Sequence, residues 1–403
     1  MNILHVIRTM DPAWGGPVEG VKNIALQGTA AGHSLEITCL DPPEALWLKD
    51  LKINVNAIGP AQCGTFGYSR RLDWWLRNNI SRFDVVVVNG IWMYFSSAVR
   101  RAAKRANVPY FVFTHGALDP WFKQNYPVKQ VKKQVYWSLF EHKVLRDAAA
   151  VLFTTAEERV VSDGAFWPYR CNAKVVGYGI GDPFISQGRM QNRSEARQQL
   201  NLALPQLGDR KFLLFLARVH EKKGVDLLLQ AIARNGVKYQ DHAVVIAGPG
   251  KQAYISDLKV MAGRFGLEKQ VIWAGPLYGD LKWAAIAEAE AYVLPSHQEN
   301  FGISVAEALA CGIPVLITNK VNIWREIAAE RGGLVDNDDV SGISRLLERW
   351  ISLDTEQRSS MRNNARECFL NHFEITRTSA NLFETIEQTH TAKDNQALRE
   401  CVS

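Results

Sequence analysis

Strand-like runs alternate with helical patterns along the whole chain, and this alternation limits the fold more than any other feature. The runs are short and rich in Val, Ile, Leu and Phe, and the segments between them repeat apolar residues at helical spacing. In the first half the runs are ILHVI, LEITCL, DVVVVNGIW, YFVFTHG and AVLFTT. In the second half they are FLLFLARV, HAVVIAG, VIWAGPL, AYVLPS and PVLIT. This pattern predicts an α/β fold with parallel sheets covered by helices on both faces.

A polar stretch interrupts the alternation near the middle of the chain and predicts a linker at about residues 181–195. We therefore expect two domains of similar size, residues 1–183 and residues 184–373. With 403 residues and 47% hydrophobic content, the chain can bury a core in each domain. The tail after about Asp354 has helical spacing.

Several protein classes are disfavoured by what the sequence contains. No apolar run approaches the roughly 20 residues that cross a bilayer. The opening MNILHVIRT has no basic n-region or cleavage site, so a cytoplasmic location is expected. The six cysteines form no C-x-x-C pair and are expected to be reduced thiols. No G-x-G-x-x-G follows the first strand, which argues against a dinucleotide-dependent oxidoreductase.

Positive charge is concentrated in the first half. Residues 1–183 hold 21 Lys and Arg against 15 Asp and Glu, a net +6, whereas residues 184–403 hold 26 of each. One segment, ALDPWFKQNYPVKQVKKQVYWSLFEHK, joins Trp121 and Phe122, which we expect to be exposed, to five lysines, which are Lys123, Lys129, Lys132, Lys133 and Lys143. These lysines suggest a partner that is either anionic lipid or a diphosphate-bearing acceptor. No aromatic-basic module supports nucleic-acid binding.

The same segment carries an apolar stripe at helical spacing, consisting of Val128, Val131, Val135, Leu139 and Val144. Packing against the domain core is the interpretation we favour for this stripe.

The segment His297–Gly312, HQENFGISVAEALACG, places two carboxylates, Glu299 and Glu307, eight positions apart around the start of a predicted helix. At about 1.5 Å per residue they span roughly 12 Å, comparable to the distance from a hexose to a ribose across a diphosphate. The backbone N–H groups of residues 301–303 would face the phosphates, because the start of a helix favours negative charge. A solvated helix face is the alternative explanation for a bare pair of glutamates at this spacing.

With Asn300, Phe301 and Gly302 after the first glutamate, the segment resembles the E-x7-E motif of retaining glycosyltransferases of family 4. The resemblance implies that Glu299 contacts the hydroxyls of the donor sugar and that Glu307 binds the ribose. It also implies a GT-B fold, with two Rossmann-like α/β/α domains whose parallel sheets face each other across a cleft.

The segment FLARVHEKKG places Arg218 and Lys223 directly after the first strand of the second half. Because the ligand crevice of an open parallel sheet lies beyond the carboxyl ends of its strands, both cations can reach a diphosphate. The segment resembles the G-R-L-x-x-x-K-G signature of the family, with Ala217 in place of the first glycine. The resemblance implies that Arg218 and Lys223 neutralise the phosphates of the leaving nucleotide. Lys222 is the alternative, although Lys223 before Gly224 fits the signature better.

Two further elements of the resemblance lie in the first half. Gly15 and Gly16 follow the first strand, where the family has a glycine-rich loop beside the donor phosphates and the acceptor, although a plain tight turn is the alternative. His115 ends the run YFVFTHG, where the family has an H-G that faces the transferred sugar. A lone histidine is more often structural, but with this resemblance we expect His115 to contact the substrate, and it need not be a general base.

The resemblance therefore implies an enzyme that transfers a hexose from a UDP- or GDP-sugar to a hydroxyl of an acceptor glycan, with retention of anomeric configuration. The resemblance implies an acceptor-binding first domain, a donor-binding second domain, and a final helix, residues 374–390, that packs back on the first. We expect a lipid-linked acceptor in polysaccharide or envelope glycan assembly, and peripheral contact with the inner face of an anionic membrane. An epimerase acting on a sugar nucleotide and a non-catalytic sugar-nucleotide-binding protein are the alternatives.

No metal ion or cofactor is expected. Arg218, Lys223 and the helix start already meet the phosphate charge. Asp336 and Asp338 have the D-x-D spacing that metal-dependent transferases of another fold use, but they precede a helical pattern and are interpreted here as helix-capping carboxylates.

Overall fold

The computed structural model describes residues 1–49, 51–120, 127–186, 193–239 and 241–402. The chain forms two compact units. The first consists of Met1–Gly179 with Ile375–Ser403, and the second is Ile180–Glu374.

The second unit begins at Ile180, slightly before the boundary of residue 184 that the sequence pattern indicates. Ile180 and Glu374 form a parallel β-bridge, and the Ile180 N–H donates to the Phe373 carbonyl at 2.9 Å. The two ends of the second unit are therefore joined by backbone hydrogen bonds within that unit.

The first unit contains a seven-stranded parallel sheet. Its strands are β1 (Asn2–Ile7), β2 (Ser34–Cys39), β3 (Asn54–Ala57), β4 (Val85–Asn89), β5 (Tyr110–Phe113), β6 (Ala150–Phe153) and β7 (Ala173–Val175). The strand order is β3-β2-β1-β4-β5-β6-β7. Every residue of β4, with sequence VVVVN, is buried because helices cover both faces of the sheet.

Helices of the first unit connect these strands. They are α1 (Gly16–Ala30), α2 (Arg70–Asn79), α3 (Tyr94–Ala106), α4 (Pro127–Tyr136), α5 (His142–Asp147) and α6 (Ala156–Ser162). A π-helical turn, Trp137–Glu141, joins α4 to α5. At the start of α6 the Thr155 hydroxyl accepts the Glu158 N–H at 2.9 Å, as expected for an N-cap threonine.

The second unit contains a six-stranded parallel sheet. Its strands are β8 (Lys211–Leu216), β9 (His242–Ala247), β10 (Val271–Gly275), β11 (Ala291–Leu294), β12 (Val315–Thr318) and β13 (Gly333–Asp336). The strand order is β10-β9-β8-β11-β12-β13. In each sheet the order reverses once, between β1 and β4 and between β8 and β11. Such a switch point opens a crevice at the carboxyl ends of the strands, where α/β proteins bind ligands.

The helices of the second unit are α7 (Pro183–Ser186), α8 (Arg193–Ala203), α9 (Val225–Asn235), α10 (Gln252–Arg264), α11 (Gly279–Glu288), α12 (Ile303–Ala310), α13 (Trp324–Ala329), α14 (Val340–Ser352) and α15 (Thr355–Cys368). The cap of α14 is Asp339, whose carboxylate accepts the Gly342 N–H at 2.7 Å. The prediction that Asp336 and Asp338 are the capping carboxylates is therefore wrong. Asp336 ends β13 and forms an ion pair with Arg345, and Asp338 accepts from His297 at 3.0 Å.

The last helix, α16 (Ile375–Val402), belongs to the first unit. The Asn381 amide donates to the Val176 carbonyl at 2.9 Å, and the Phe383 ring lies 4.7 Å from the His33 ring. Leu382, Phe383 and Ile386 are buried in the hydrophobic core of that unit. This helix therefore completes one face of the first sheet.

The predicted α/β class with two parallel sheets is confirmed. The sequence pattern missed β3, β7 and β13, which lie at the edges of their sheets and are at most partly buried. An edge strand is covered less completely than a central one, so its sequence lacks the continuous apolar run that identifies β4.

The apolar stripe of α4 and the following turn does not pack against the core, contrary to our expectation. Val131, Val135 and Leu139 are 65%, 56% and 54% exposed, and Val144 is the one buried residue among the four whose side chains are described. The stripe faces away from the sheet, while Trp137 on the other face is buried. The Val128 side chain and the predicted surface residues Trp121, Phe122 and Lys123 lie outside the described residues.

Among the described helices, none combines the length and the apolarity that crossing a bilayer requires. The five cysteines whose side chains are described, Cys39, Cys63, Cys171, Cys311 and Cys368, are free thiols.

Candidate functional site

The two segments that carry the strongest motifs follow neighbouring strands at the switch point of the second sheet. Leu213 of β8 pairs with Ala291 of β11. Both strands run in the same direction, so the segments after them emerge at the same edge of the sheet. One segment contains Arg218 and Lys223, and the other contains Glu299.

Backbone contacts hold these two segments together. The Lys222 carbonyl accepts the His297 N–H at 2.8 Å and the Ser296 hydroxyl at 2.9 Å. Gly224 has φ of +66°, and a Cβ at this position would lie 2.0 Å from the Pro295 carbonyl oxygen. Only glycine fits this backbone conformation and this close approach. The glycine after Lys223 is thus required by the packing of the site.

The Nζ of Lys223 forms an ion pair with the Glu299 carboxylate. The two side chains are 12% and 23% exposed, so the pair is partly shielded from water. The neighbouring Lys222 instead donates to the Gln298 side-chain oxygen at 3.1 Å. Lys223 is therefore in direct contact with a predicted site residue, as the signature implies.

Glu299 lies in the loop before α12, where its main chain is fixed by a second loop. Its N–H donates to the Lys320 carbonyl at 2.9 Å, and its carbonyl accepts the Asn322 N–H at 3.0 Å. The Asn322 side chain also donates to the Asn300 side-chain oxygen at 3.4 Å. Asn300 therefore stabilises the loop that presents Glu299.

The helix start lies directly after Glu299 and Asn300. Gly302, with φ of +79°, is the N-cap of α12, so the first N–H groups of the helix have no intrahelical partner. The Phe301 ring is 6% exposed and packs edge-on against Phe373 with ring centres 5.6 Å apart. The Phe301 ring thus belongs to the core, and any contact of Phe301 with a donor would come from its backbone.

Glu307 lies in α12 and forms an ion pair with Lys282 of α11. Its carboxylate accepts from the Lys282 Nζ at 2.6 Å, with side-chain exposures of 13% and 26%. The Lys282 ammonium also lies 4.5 Å from the centre of the Trp283 ring. The sequence did not identify Lys282 as a site residue. It is a single lysine among apolar residues of α11, and no motif links it to Glu307, which it contacts because the fold packs α11 against α12.

Arg218 occupies the loop after β8 with an exposed side chain. The carbonyl of its neighbour Ala217 lies so close to Gly248 that a Cβ there would approach it to 1.9 Å. The loop backbone is therefore packed, while the Arg218 side chain remains accessible from solvent.

The first-unit residues of the predicted site lie at the carboxyl edge of the first sheet. Gly15, with φ of +74°, is the N-cap of α1, and the Gly16 carbonyl accepts from the Tyr178 hydroxyl at 2.6 Å. His115 follows β5, the second strand from the switch point on that side. Its ring stacks on Phe113 with centres 5.2 Å apart.

Burial lowers the pKa of His115 to about 4. The imidazole is therefore neutral at pH 7, and it can act as a hydrogen-bond donor or acceptor without carrying charge. Its Nε2 is buried and has no hydrogen-bond partner among the residues that the structure describes.

Two family models match the chain, one in each unit. Residues 15–160 match the model described as glycosyl transferase 4-like domain. Residues 197–368 match the model described as glycosyl transferases group 1. The second match includes the segments of Arg218, Lys223, Glu299 and Glu307.

Curated relatives are glycosyltransferases. The chain is 26% identical over 265 residues to a D-inositol 3-phosphate glycosyltransferase of Jonesia denitrificans, covering 62% of this chain and 60% of the relative. It is 24% identical over 274 residues to a GDP-mannose-dependent alpha-(1-6)-phosphatidylinositol monomannoside mannosyltransferase of Mycolicibacterium smegmatis, covering 64% and 69%. The aligned parts thus span about two thirds or less of the length of these relatives.

Solved structures show the same fold over nearly the whole chain. HepE of Anabaena in complex with UDP has a TM-score of 0.76 at 18% identity, and the match covers 96% of this chain and 100% of HepE. The predicted GT-B fold is confirmed.

Proposed function

We propose that this chain, whose fold is GT-B and whose two units match glycosyltransferase family models, is a retaining glycosyltransferase that moves a hexose from a nucleoside-diphosphate sugar to an acceptor hydroxyl. The observation that carries the proposal is the Lys223–Glu299 ion pair at the switch point of the second sheet, beside the free helix start at Gly302. A cation, a carboxylate and the first backbone N–H groups of a helix lie together there, which is the set of groups that a sugar diphosphate requires.

The donor would lie along α12. Arg218, Lys223 and the helix start would hold the diphosphate, Glu299 would accept from hydroxyls of the sugar, and Glu307 would accept from the ribose. The Lys282–Glu307 ion pair supports the last assignment, because Lys282 holds the Glu307 carboxylate in one orientation. HepE, which shares the fold, has been crystallised with UDP and with UDP-glucose.

The chemical step would depend on stabilising the leaving group. Negative charge develops on the diphosphate as the bond to the sugar breaks, and Arg218, Lys223 and the helix start would lower the energy of that state. A phosphate oxygen of the leaving group would accept the proton of the incoming hydroxyl, so the new bond would form on the face that the nucleotide leaves. His115, neutral at pH 7, would hydrogen-bond a sugar hydroxyl through Nε2.

The acceptor would be a glycan carried on a lipid in polysaccharide or envelope glycan assembly, reached from the cytoplasmic face of a membrane. The exposed stripe of Val131, Val135 and Leu139 supports this proposal, because three apolar residues on one helix face have no protein core to contact. Lys129 and Lys132 lie on the same helix and are exposed. Apolar residues flanked by lysines suit a surface of anionic lipid.

An exposed tryptophan extends this lipid-facing surface. Trp167 is 79% exposed, and its backbone N–H donates to the Gln134 side-chain oxygen of α4 at 3.3 Å, which leaves the indole ring at the surface. Tryptophan is favoured at the boundary between lipid and water because it is both apolar and able to donate a hydrogen bond. The relative from Mycolicibacterium smegmatis is named for an acceptor built on phosphatidylinositol.

Nucleotide binding and product analysis test this proposal. The full chain is incubated with UDP, GDP and a panel of their hexose conjugates, and one nucleotide series should raise the unfolding temperature further as its concentration increases relative to its dissociation constant. The conjugate that binds is then supplied with phosphatidylinositol and with polyprenyl-diphosphate-linked sugars. We expect a glycosylated lipid whose new linkage, measured by NMR, has the anomeric configuration of the donor.

Two controls separate this activity from its alternatives. Donor incubated alone should remain unchanged, whereas an epimerase would convert it to a second sugar nucleotide. Activity should persist in EDTA, because cationic side chains meet the phosphate charge in this proposal. A product of inverted configuration, or a chain that binds no nucleotide, would contradict the proposal.

A further inference from the structure

Glu158 is a fully buried carboxylate that no part of the proposed reaction uses. It lies in the first turn of α6, directly after β6, and none of its side chain is exposed. A buried carboxylate is costly unless hydrogen bonds compensate for lost hydration. Four donors surround it, which are the Thr114 hydroxyl (2.7 Å), the Gly116 N–H (2.6 Å), the Thr154 N–H (2.8 Å) and the Thr154 hydroxyl (2.7 Å).

The two oxygens of Glu158 have separate partners. Oε2 accepts both hydrogen bonds from Thr154, which lies between β6 and α6, in the same segment as Glu158. Oε1 accepts from Thr114 and Gly116, which come from the neighbouring strand β5. Oε2 thus binds the segment to which Glu158 itself belongs, and Oε1 binds the two residues on either side of His115.

His115 needs such support because its backbone conformation is unfavourable. The Ala117 N–H donates to the Thr114 carbonyl at 3.0 Å, which closes a four-residue turn. The two central residues of the turn, His115 and Gly116, have φ of +47° and +73°. Positive φ at both central positions is typical of a type I′ turn, which favours glycine, asparagine and aspartate. A histidine there has to be held by its surroundings.

A second contact holds the far end of the turn. The Trp92 indole N–H donates to the Ala117 carbonyl at 3.0 Å. Trp92 follows β4, the strand beside β5, and it also has a positive φ, of 70°. The turn is therefore anchored from the strands on both of its sides, by Trp92 from β4 and by Glu158 after β6.

We infer that Glu158 is a positioning residue for sugar transfer, which fixes the Thr114–Ala117 turn so that the His115 imidazole presents Nε2 to the substrate. This inference rests on the proposed function, because it assumes that His115 contacts the sugar. The buried Nε2, which has no partner among the described residues, is the second observation that favours it. Glu158 itself need not touch the substrate.

A matched pair of variants separates positioning from a purely structural role. Thr114→Val and Thr154→Val each remove one hydroxyl that donates to Glu158 at 2.7 Å, with little change of volume. In each variant a backbone N–H still donates to the same oxygen. We expect Thr114→Val to lower kcat about tenfold with an unchanged KM for the donor, since a buried hydrogen bond to a charged group is lost beside His115. Thr154→Val should stay within about twofold of the parent chain in both constants.

A second measurement does not depend on activity. The imidazole signals of His115 are recorded by long-range ¹H–¹⁵N NMR and assigned with His115→Asn. The parent and Thr154→Val chains should give one sharp set of signals, whereas Thr114→Val and Glu158→Gln should shift or broaden it. Should Glu158→Gln fail to fold, Thr114→Val still provides the comparison.

The outcomes are distinguishable. Equal losses of kcat in both threonine variants, or unchanged His115 signals in Thr114→Val, would overturn the inference. If the parent chain transfers no sugar at all, the proposed function fails, and the NMR comparison still decides whether Glu158 fixes the orientation of His115.

Discussion

Lys223 and Glu299 form an ion pair although the proposal assigns them to different parts of the donor, the diphosphate and the sugar. A diphosphate that binds beside α12 would compete with Glu299 for the Lys223 ammonium. The Glu299 carboxylate would then be released to accept hydrogen bonds from sugar hydroxyls. The two steps would then be coupled, because binding of the diphosphate to Lys223 would free Glu299 for the sugar.

This coupling predicts non-additive losses. Lys223→Ala and Glu299→Gln should each lower kcat/KM by roughly a hundredfold or more, as expected when a charged contact to the reacting group is removed. The double variant should lose much less than the product of the two single losses, because the residues act as a unit. Steady-state kinetics with the donor measure kcat/KM for the two single variants and the double variant. Lys222→Ala is the matched control, and a larger loss there than in Lys223→Ala would reverse the assignment of the two lysines.

Arg218→Ala should mainly lower turnover. The guanidinium is exposed in the loop after β8, so its removal should leave the unfolding temperature unchanged. We expect kcat to fall by about a hundredfold with a change of only a few fold in KM, since the charge on the diphosphate is greatest as the sugar departs. Arg264→Ala, an exposed arginine at the end of α10, is the control. A large rise in KM with normal kcat would assign Arg218 to ground-state binding instead.

Glu307→Gln should weaken nucleotide binding more than it lowers turnover. The variant keeps the shape of the side chain but loses the charge that the Lys282 ammonium orients at 2.6 Å. Hydrogen bonds to charged groups contribute about 1.5–3 kcal/mol, so we expect Kd for the nucleoside diphosphate to rise about tenfold to a hundredfold. Isothermal titration calorimetry measures this change, with Glu348→Gln on the surface of α14 as control. An unchanged Kd would show that Glu307 does not bind the ribose.

The elements that the sequence predicts well are those decided locally. Central strands such as β4 are buried on both faces and therefore consist of continuous apolar residues. Gly302 and Gly312 mark the two ends of α12, where φ is +79° and +65°. The spacing within each pair, Arg218 with Lys223 and Glu299 with Glu307, is also a local property, so the sequence alone is enough to name these residues as candidates.

Residues that act through tertiary contact cannot be predicted in the same way. Lys282 and Glu158 are remote in sequence from the residues they contact, Glu307 and Thr114, and no motif joins them. The prediction for the stripe on α4 is wrong for a related reason. Helical spacing shows that Val131, Val135 and Leu139 share a face, but it does not show whether that face meets the core or the solvent.

Glu141 should make the stability of the first unit depend on pH. Burial raises the pKa of this carboxyl from 4.5 to about 7, against a weaker opposite effect of the nearby Ser96 hydroxyl. The folded chain thus binds the proton more tightly than the unfolded chain does. Stability contributed by Glu141 is complete below about pH 4.5 and is lost as pH rises to about 7, in total roughly 3 kcal/mol.

Glu141→Gln removes this titration. We expect the variant to gain stability relative to the parent chain as pH rises from 5 to 8, and urea unfolding of the first unit at both values measures the difference. Exposed Glu44→Gln should show no such trend. The contrary result is that the free energies of unfolding of the Glu141→Gln variant and the parent chain differ by the same amount at both pH values. That result would mean that the pKa of Glu141 is not raised in the folded chain.

The exposed stripe should bind anionic lipid. In flotation with vesicles of phosphatidylglycerol and phosphatidylcholine at low salt, the chain should rise with the lipid, and 0.5 M salt should release most of it, because screening weakens the attraction of the lysines. Replacing Lys132 by Glu and Leu139 by Ser should lower the partition coefficient at least about tenfold, since each charge contributes about 1 kcal/mol near such a surface. Lys269→Glu with Val260→Ser makes matched changes at exposed positions of the second unit and should have little effect. Equal losses in both double variants would show that general charge, rather than the surface formed by α4 and Trp167, determines lipid binding.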